Sequence, residues 1–361
     1  MSIARCSPFL FAAALLPAQT THLVGPSGFA QIGGALLVAQ PGDVILVEPG
    51  TYQHFTASVD VTIRATTPGT ALVVGQWFTM LQPPPGQTVH LIGLNLGGVI
   101  VNGTTTLAEC HIANAGMVLA VNHADLHLQR CTVRSLLGTG PLLIAASSAI
   151  VALDSRITIV DSLVEGPFGN PTGASSNPAI QLSASTLHAT GLTARTGIGF
   201  NAPALRADAT TVVWLSDSTL VSDPSICPVV APVGRLARCT LIPNCGSPAV
   251  GPLLGVDAPF ALHPGSIYTL RFTASPGTLV AVWTSPALAT SILAELEQPL
   301  WLEPTMALPV AALVTDTTGT AVGAWQVPLV PALVNQTCFF QGFAGTQLPL
   351  LTSPRVGSVI Y

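Results

Sequence analysis

A ten-residue phrase, LHLQRCTVRS at Leu126–Ser135, returns along the chain in altered form. It reappears as VTIRATTP from Val61, VHLIGLNL from Val89, TLAECHI from Thr106 and ITIVDSLV from Ile157. Further copies are LHATGLTA from Leu187, VWLSDSTL from Val213 and GRLARCTL from Gly234. Within each copy apolar and polar residues alternate, the signature of a strand with two unlike faces, and the phase shifts near the middle. Eight copies at irregular intervals of about 16 to 31 residues predict a solenoid of short strands.

Laid over one another, the copies give columns. Ile63, Leu91, Leu107, Leu128, Ile159, Leu215 and Leu236 form one inward aliphatic column, with Ala189 as its small member. Leu96, Ile112, Val133, Val164, Leu220 and Leu241 form a second. At the shift of phase stands a bend column: Ala65, Gly93, Glu109, Arg130, Asp161, Gly191, Asp217 and Arg238. Opposite charges there fall on adjacent coils, a register device in which each exposed pair contributes about 0–1 kcal/mol. Behind it run Cys110, Cys131, Ser162, Ser218 and Cys239, read as small residues stacked inside the coil. An outward column holds Thr62, His90, Thr106, His127, Thr158, His188, Trp214 and Arg235. It reads either as a hydrogen-bonding and aromatic track for a polysaccharide or as a face covered by a loop or by the C-terminal domain.

Only 7% of the 361 residues are charged and 49% are hydrophobic, against about 25% charged in ordinary soluble domains. This suits a parallel β-core buried on both faces of its sheets. Eleven scattered Lys and Arg in a chain of net charge −5 leave no footprint for nucleic acid. Residues 1–20 read as a secretory signal peptide, with Arg5 ahead of an apolar run, and no membrane span is expected in the mature chain. Secretion to the extracellular space or cell surface follows. Six cysteines then remain, with Cys227–Cys245 the preferred disulfide and Cys338 and the others unassigned. The phrase stops near residue 250. Residues 256–361 instead show alternating strands with turns every eight to twelve residues, read as an antiparallel β-sandwich.

The segment Gly28–Tyr52 combines a short helical stretch (Ile32, Leu36, Leu37, Ala39) with PGDVILVEPGTY, and VTIRATTPG follows. This order closely resembles the opening of secreted right-handed parallel β-helix proteins of the pectin-lyase-like superfamily, over roughly residues 22–248. The resemblance implies a helix capping the solenoid and GD-x-I-x-V-x-PGTY as its first coil. The C-terminal stretch resembles the small final domains of planctomycete-type secreted proteins. The superfamily contains lyases, hydrolases, epimerases and non-enzymes. Its polygalacturonase-type members need paired aspartates, because one carboxyl protonates the leaving oxygen while another activates water. The chain has no Asn-Thr-Asp, Asp-Asp, Gly-His-Gly or Arg-Ile-Lys, and no aspartate cluster of the calcium-dependent lyase kind.

The densest polar stretch is VNHADLHLQR, Val121–Arg130. On an extended strand His123, Asp125 and His127 share one face, so they are the candidate ligands for a metal ion. A solvated polar face gives the same pattern. Asp125, His127 and Arg130 are the candidate catalytic groups, provided that they share a groove. His90, His127, His188, Trp214 and Arg235 are the candidate glycan-binding residues. Asp154, Arg156 and Arg206–Asp208 read as solvated turn charges. No cofactor is implied beyond such a metal.

The chain is therefore expected to be all-β: a right-handed parallel β-helix over residues 21–250, a single-stranded solenoid with an N-terminal capping helix, followed by the sandwich. Its expected role is non-catalytic, binding or presenting polysaccharide or another extracellular surface. The alternative is a polysaccharide lyase, glycoside hydrolase or epimerase.

Overall fold

The computed structural model describes residues 19–75, 78–136, 147–167, 177–196, 202–231, 233–237 and 239–244 of the solenoid region. Beyond these it describes 255–258, 261–286, 288–291, 296, 300–302, 304–330, 337–345, 350–353 and 356–360. The leader 1–18, Arg238, Cys245 and residues 137–146 and 168–176 lie outside the described residues.

Three parallel sheets make the solenoid, with ten (sheet 1), nine (sheet 2) and eight strands (sheet 3) among the described residues. Neighbours within a sheet are mostly every third strand of the chain. One coil runs along Asp125–Gln129 in sheet 1, Thr132–Leu136 in sheet 2 and Ile150–Leu153 in sheet 3. It then re-enters sheet 1 at Arg156–Val160, one strand spacing further along the axis. A strand's backbone groups are thus paired by the coils on either side.

The predicted columns exist. Ile63, Leu91, Leu107, Leu128, Ile159, Ala189, Leu215 and Leu236 stand in register, all at 3% exposure or less. The second inner column runs from Leu96 to Leu241 and includes Ala194 between Val164 and Leu220. Each large aliphatic side chain so buried contributes roughly 1.5–3 kcal/mol relative to exposure.

The corners have their own rule. Between sheets 1 and 2 the chain turns through one left-handed residue per coil: Gly93, Glu109, Arg130, Asp161, Gly191 and Asp217, with φ between 45° and 68°. Ala65 departs from this column: it ends the strand Val61–Ala65, and a wider turn with Gly69 at φ 78° follows. Arg130 pairs with Glu109 at 3.0 Å, both about a third exposed. After the four non-glycine residues of this series a small thiol or hydroxyl turns inward, while buried Leu94 and Leu192 follow the two glycines. Ser162 Oγ donates to the Val160 carbonyl at 2.7 Å and accepts from the Cys131 amide at 3.0 Å. Cys131 and Cys110 hold the same place one and two coils earlier; their thiols donate to the Gln129 and Ala108 carbonyls, and both are free and buried. Cys227 is disulfide-bonded; its expected partner, Cys245, lies outside the described residues.

The corner from sheet 3 back to sheet 1 repeats the device. His123, Asp154 and Ala184 are left-handed, with φ 46–49°. Ser155 and Ser185 follow two of them. Ser155 Oγ donates to the Leu153 carbonyl at 2.7 Å and accepts from the Ala124 amide at 3.2 Å, and Ser185 does the same for Ser183 and Ser155.

The capping helix, Ile32–Leu36, is only five residues long and buries Ile32 and Ala35. Leu37, expected on its inner face, is 89% exposed because the helix has already ended. A strand not foreseen from the sequence, Thr21–Val24, adds to the end of sheet 1 beside Asp43–Val47. Buried Asp43 fixes it, accepting from the Thr20 and Gln40 amides and meeting His22 Nε2 at 2.8 Å. Burial pushes the Asp43 carboxyl up, but these contacts outweigh it and leave the group below its usual range.

After the solenoid come strands that pair mainly antiparallel: Ile267–Thr273 with Thr320–Gln326, and Leu279–Ser285 with both Leu308–Val314 and Thr337–Ala344. Leu270, Phe272, Val280, Val282 and Phe340 fill a sandwich-like core between them. Among the described residues no helix is long and apolar enough to cross a membrane.

The corner ladder makes a direct prediction. Ser162→Val leaves the buried Cys131 amide without its acceptor and should cost about 1–3 kcal/mol in urea unfolding. Ser162→Cys restores the group used one coil earlier and should cost less than half as much. Equal losses for the two variants would contradict the role given to the side chain.

Candidate groove at the corner of sheets 3 and 1

The left-handed corner residues aim their side chains outward. His123 and Asp154, one coil apart, are 70% and 65% exposed, with Nε2 and Oδ2 3.7 Å apart. Two residues on, each coil has entered sheet 1, and Asp125 and Arg156 stand in register on its outer face. Arg156 Nη1 donates to Asp125 Oδ2 at 3.4 Å, and this pair is more sheltered than the first. Asn102 and Thr104 flank the four from the coil before, Ala184 and Thr186 from the coil after.

Pro83–Pro85, from an earlier coil, form one wall. Gly103, at φ 155°, lets that wall approach: a Cβ there would lie 3.0 Å from both Cδ and the carbonyl oxygen of Pro83. The result is an open groove of about 640 Å³, within the usual range for ligand sites. It crosses five successive coils, hence about 19 Å along the solenoid axis.

Further along the strands, the outer face of sheet 1 is buried over its middle coils. Thr106, His127, Thr158 and His188 are 3–4% exposed and His90 8%. The far edge of the sheet meets the C-terminal part, where Gln129 Nε2 donates to the Ala258 carbonyl at 3.1 Å and Val160 packs in one cluster with Val256 and Ala258. Arg271 belongs to the same seam: burial holds the Asp161 carboxyl above its usual range, while Arg130 and Arg271 oppose that rise. Trp214 is partly buried and meets His188 edge-on, at a centroid distance of 4.5 Å.

The sequence candidates therefore separate. His123 and Asp125 line the groove, while His127 lies buried further along the strand and does not line it. Among the described residues no three His, Cys, Asp or Glu side chains gather as a metal site. Arg130 sits at the opposite end of its strand, at the other corner, paired with Glu109. Buried His90, His127 and His188 form the predicted column with the partly buried Trp214; Arg235 continues it in register. Asp154 and Arg156, read from the sequence as turn charges, are groove residues. The signal was available: Arg156 precedes Ile157 as Asp125 precedes Leu126, so extending the repeat alignment upstream by three residues brings the groups together. A separate cluster on the outer face of sheet 2 holds buried Glu165 between Arg134, at 3.2 Å, and Arg195.

No family model matches the chain, and no curated protein matches it.

The buried column makes stability depend on pH. Burial, and secondarily the charge of Arg156, hold the His188 imidazole down to about 3. Below pH 6.5 the unfolded chain takes up a proton at this residue that the folded chain refuses until about pH 3, so stability rises with pH across that window. Lowering the pH from 8 to 4.5 should cost about 2–3 kcal/mol through this group, and His188→Gln should remove that share. An unchanged pH profile in His188→Gln would contradict the account.

Proposed function

We propose that this chain is a secreted or cell-surface β-helix protein that binds polysaccharide in the groove beside Pro83–Pro85, without turning it over. The observation that carries the reading is the Asp125–Arg156 pair, held in register on two coils and flanked along the axis by Asn102, Thr104 and Thr186. Hydroxyl-rich ligands need donors and acceptors fixed at repeated intervals, and stacked coils supply them every 4.8 Å or so. The leader-like residues 1–20 support export. The resemblance of Gly28–Tyr52 to the opening of pectin-lyase-like β-helices supports an extracellular glycan as the partner.

Non-catalytic binding is favoured by the surroundings of the carboxylates. A hydrolytic pair needs one carboxyl that carries a proton to the leaving oxygen. Here Asp125 stands against Arg156 and Asp154 against His123. The second reading, a carbohydrate-active enzyme of the pectin-lyase-like type, draws on the same two carboxylates, since both line one groove.

A glycan array followed by calorimetry and product analysis tests both. Binding without shortened or unsaturated products is expected. Arg156→Ala and Asp125→Ala should each weaken the retained ligand at least tenfold, about 1.4 kcal/mol. Product release would favour the enzyme, and full affinity in both variants would move the site elsewhere.

A further inference from the structure

We infer that the groove takes an uncharged glycan and turns away polyuronates and sulfated chains, an inference that rests on the groove being a glycan site. The charges along the corner decide it. Arg156 is the sole Lys or Arg among the described lining residues, and its guanidinium already faces Asp125 at 3.4 Å. Two carboxylates, Asp125 and Asp154, face the groove, the second largely exposed. A third, Asp208, reaches the same corner one coil on, accepting from the Ala184 amide at 3.1 Å. It is exposed, and hydrogen bonds from the Thr211 and Thr210 side chains hold it down to about 2, so it is ionised at any working pH.

An incoming carboxylate or sulfate therefore meets two lining carboxylates, with a third one coil beyond them, against one guanidinium that is already paired. Like charges so placed disfavour binding, and the penalty is screened by salt. Neutral sugar hydroxyls meet the opposite situation. An ionised carboxylate accepts from two neighbouring hydroxyls at once, while the Arg156 guanidinium and the Asn102 amide donate to ring and hydroxyl oxygens. The wall of Pro83–Pro85 carries no side-chain charge and offers apolar contact to a sugar face.

The test titrates the full secreted chain with neutral xylan, β-glucan and galactomannan, with polygalacturonate, and with a glucosamine polymer, at low and high salt. At least one neutral polymer should bind with affinity changed less than twofold by salt, and polygalacturonate at least tenfold more weakly. In Asp154→Asn the preference for the neutral polymer over polygalacturonate should fall at least threefold. Polygalacturonate binding as tightly as the neutral polymer would overturn this inference and leave the glycan-site reading standing, as would a tighter, salt-sensitive glucosamine polymer. Binding of no polymer would overturn both.

Discussion

Each coil of this protein can pair its backbone only with the coil before and the coil after. That constraint governs the rest. A strand in an antiparallel sheet can bulge or slip where a neighbour allows it, but a coil that departs from register here unpairs three strands at once. The corners must therefore turn the chain by the same amount every time. Most do so with one left-handed residue, and at several coils of both the sheet 1–2 and the sheet 3–1 corners an inward hydroxyl or thiol follows it. The left-handed position tolerates Asp, Glu, Arg and His at some backbone cost. The inward group recovers part of that cost by satisfying an amide of the previous coil and a carbonyl of its own.

From this follow both the composition and the groove. Sheets stacked in register bury their inner faces completely, so aliphatic columns replace the usual mixed pattern and few charges are needed. Several of the charges stand at corners, because left-handed residues point their side chains out, and others lie on the outer faces of the sheets, as Arg134, Glu165 and Arg195 do. At one corner they form a register lock, Glu109 with Arg130. At the other, His123 and Asp154 stand beside Asp125 and Arg156 and become the rim and floor of an open groove. The same geometric device thus holds register at one corner of the coil and lines an open groove at the other.

The columns were legible because a strand's alternation survives in the sequence and because repeats share it. The inner aliphatic files, the bend column and the strands after residue 256 could all be read that way. Other features do not leave such a trace. His90, His127 and His188 alternate with apolar residues as a solvated or ligand-binding face would, yet they are buried; alternation records two faces and does not record what covers the second. Asp154 and Arg156 escaped because they fall just before the recognisable phrase, at the corner. The strand Thr21–Val24 escaped because its place depends on the edge offered by Asp43–Val47 and on the buried Asp43 carboxylate. Pro83–Pro85 lie between two copies of the phrase and outside every column, and only the close approach permitted by Gly103 makes them a wall.

The claim beneath all of this is the in-register stack, and a distance along its axis tests it most directly. His111 and Thr240 are both exposed on sheet 2, joined through Thr132, Leu163, Thr193 and Thr219 by five successive pairings. Spin labels at these two positions, measured by pulsed dipolar spectroscopy, should give one narrow distribution centred near 24 Å, five strand spacings, plus the reach of the label arms. A broad distribution, or a peak beyond about twice that separation, would mean that the coils are not laid one on another.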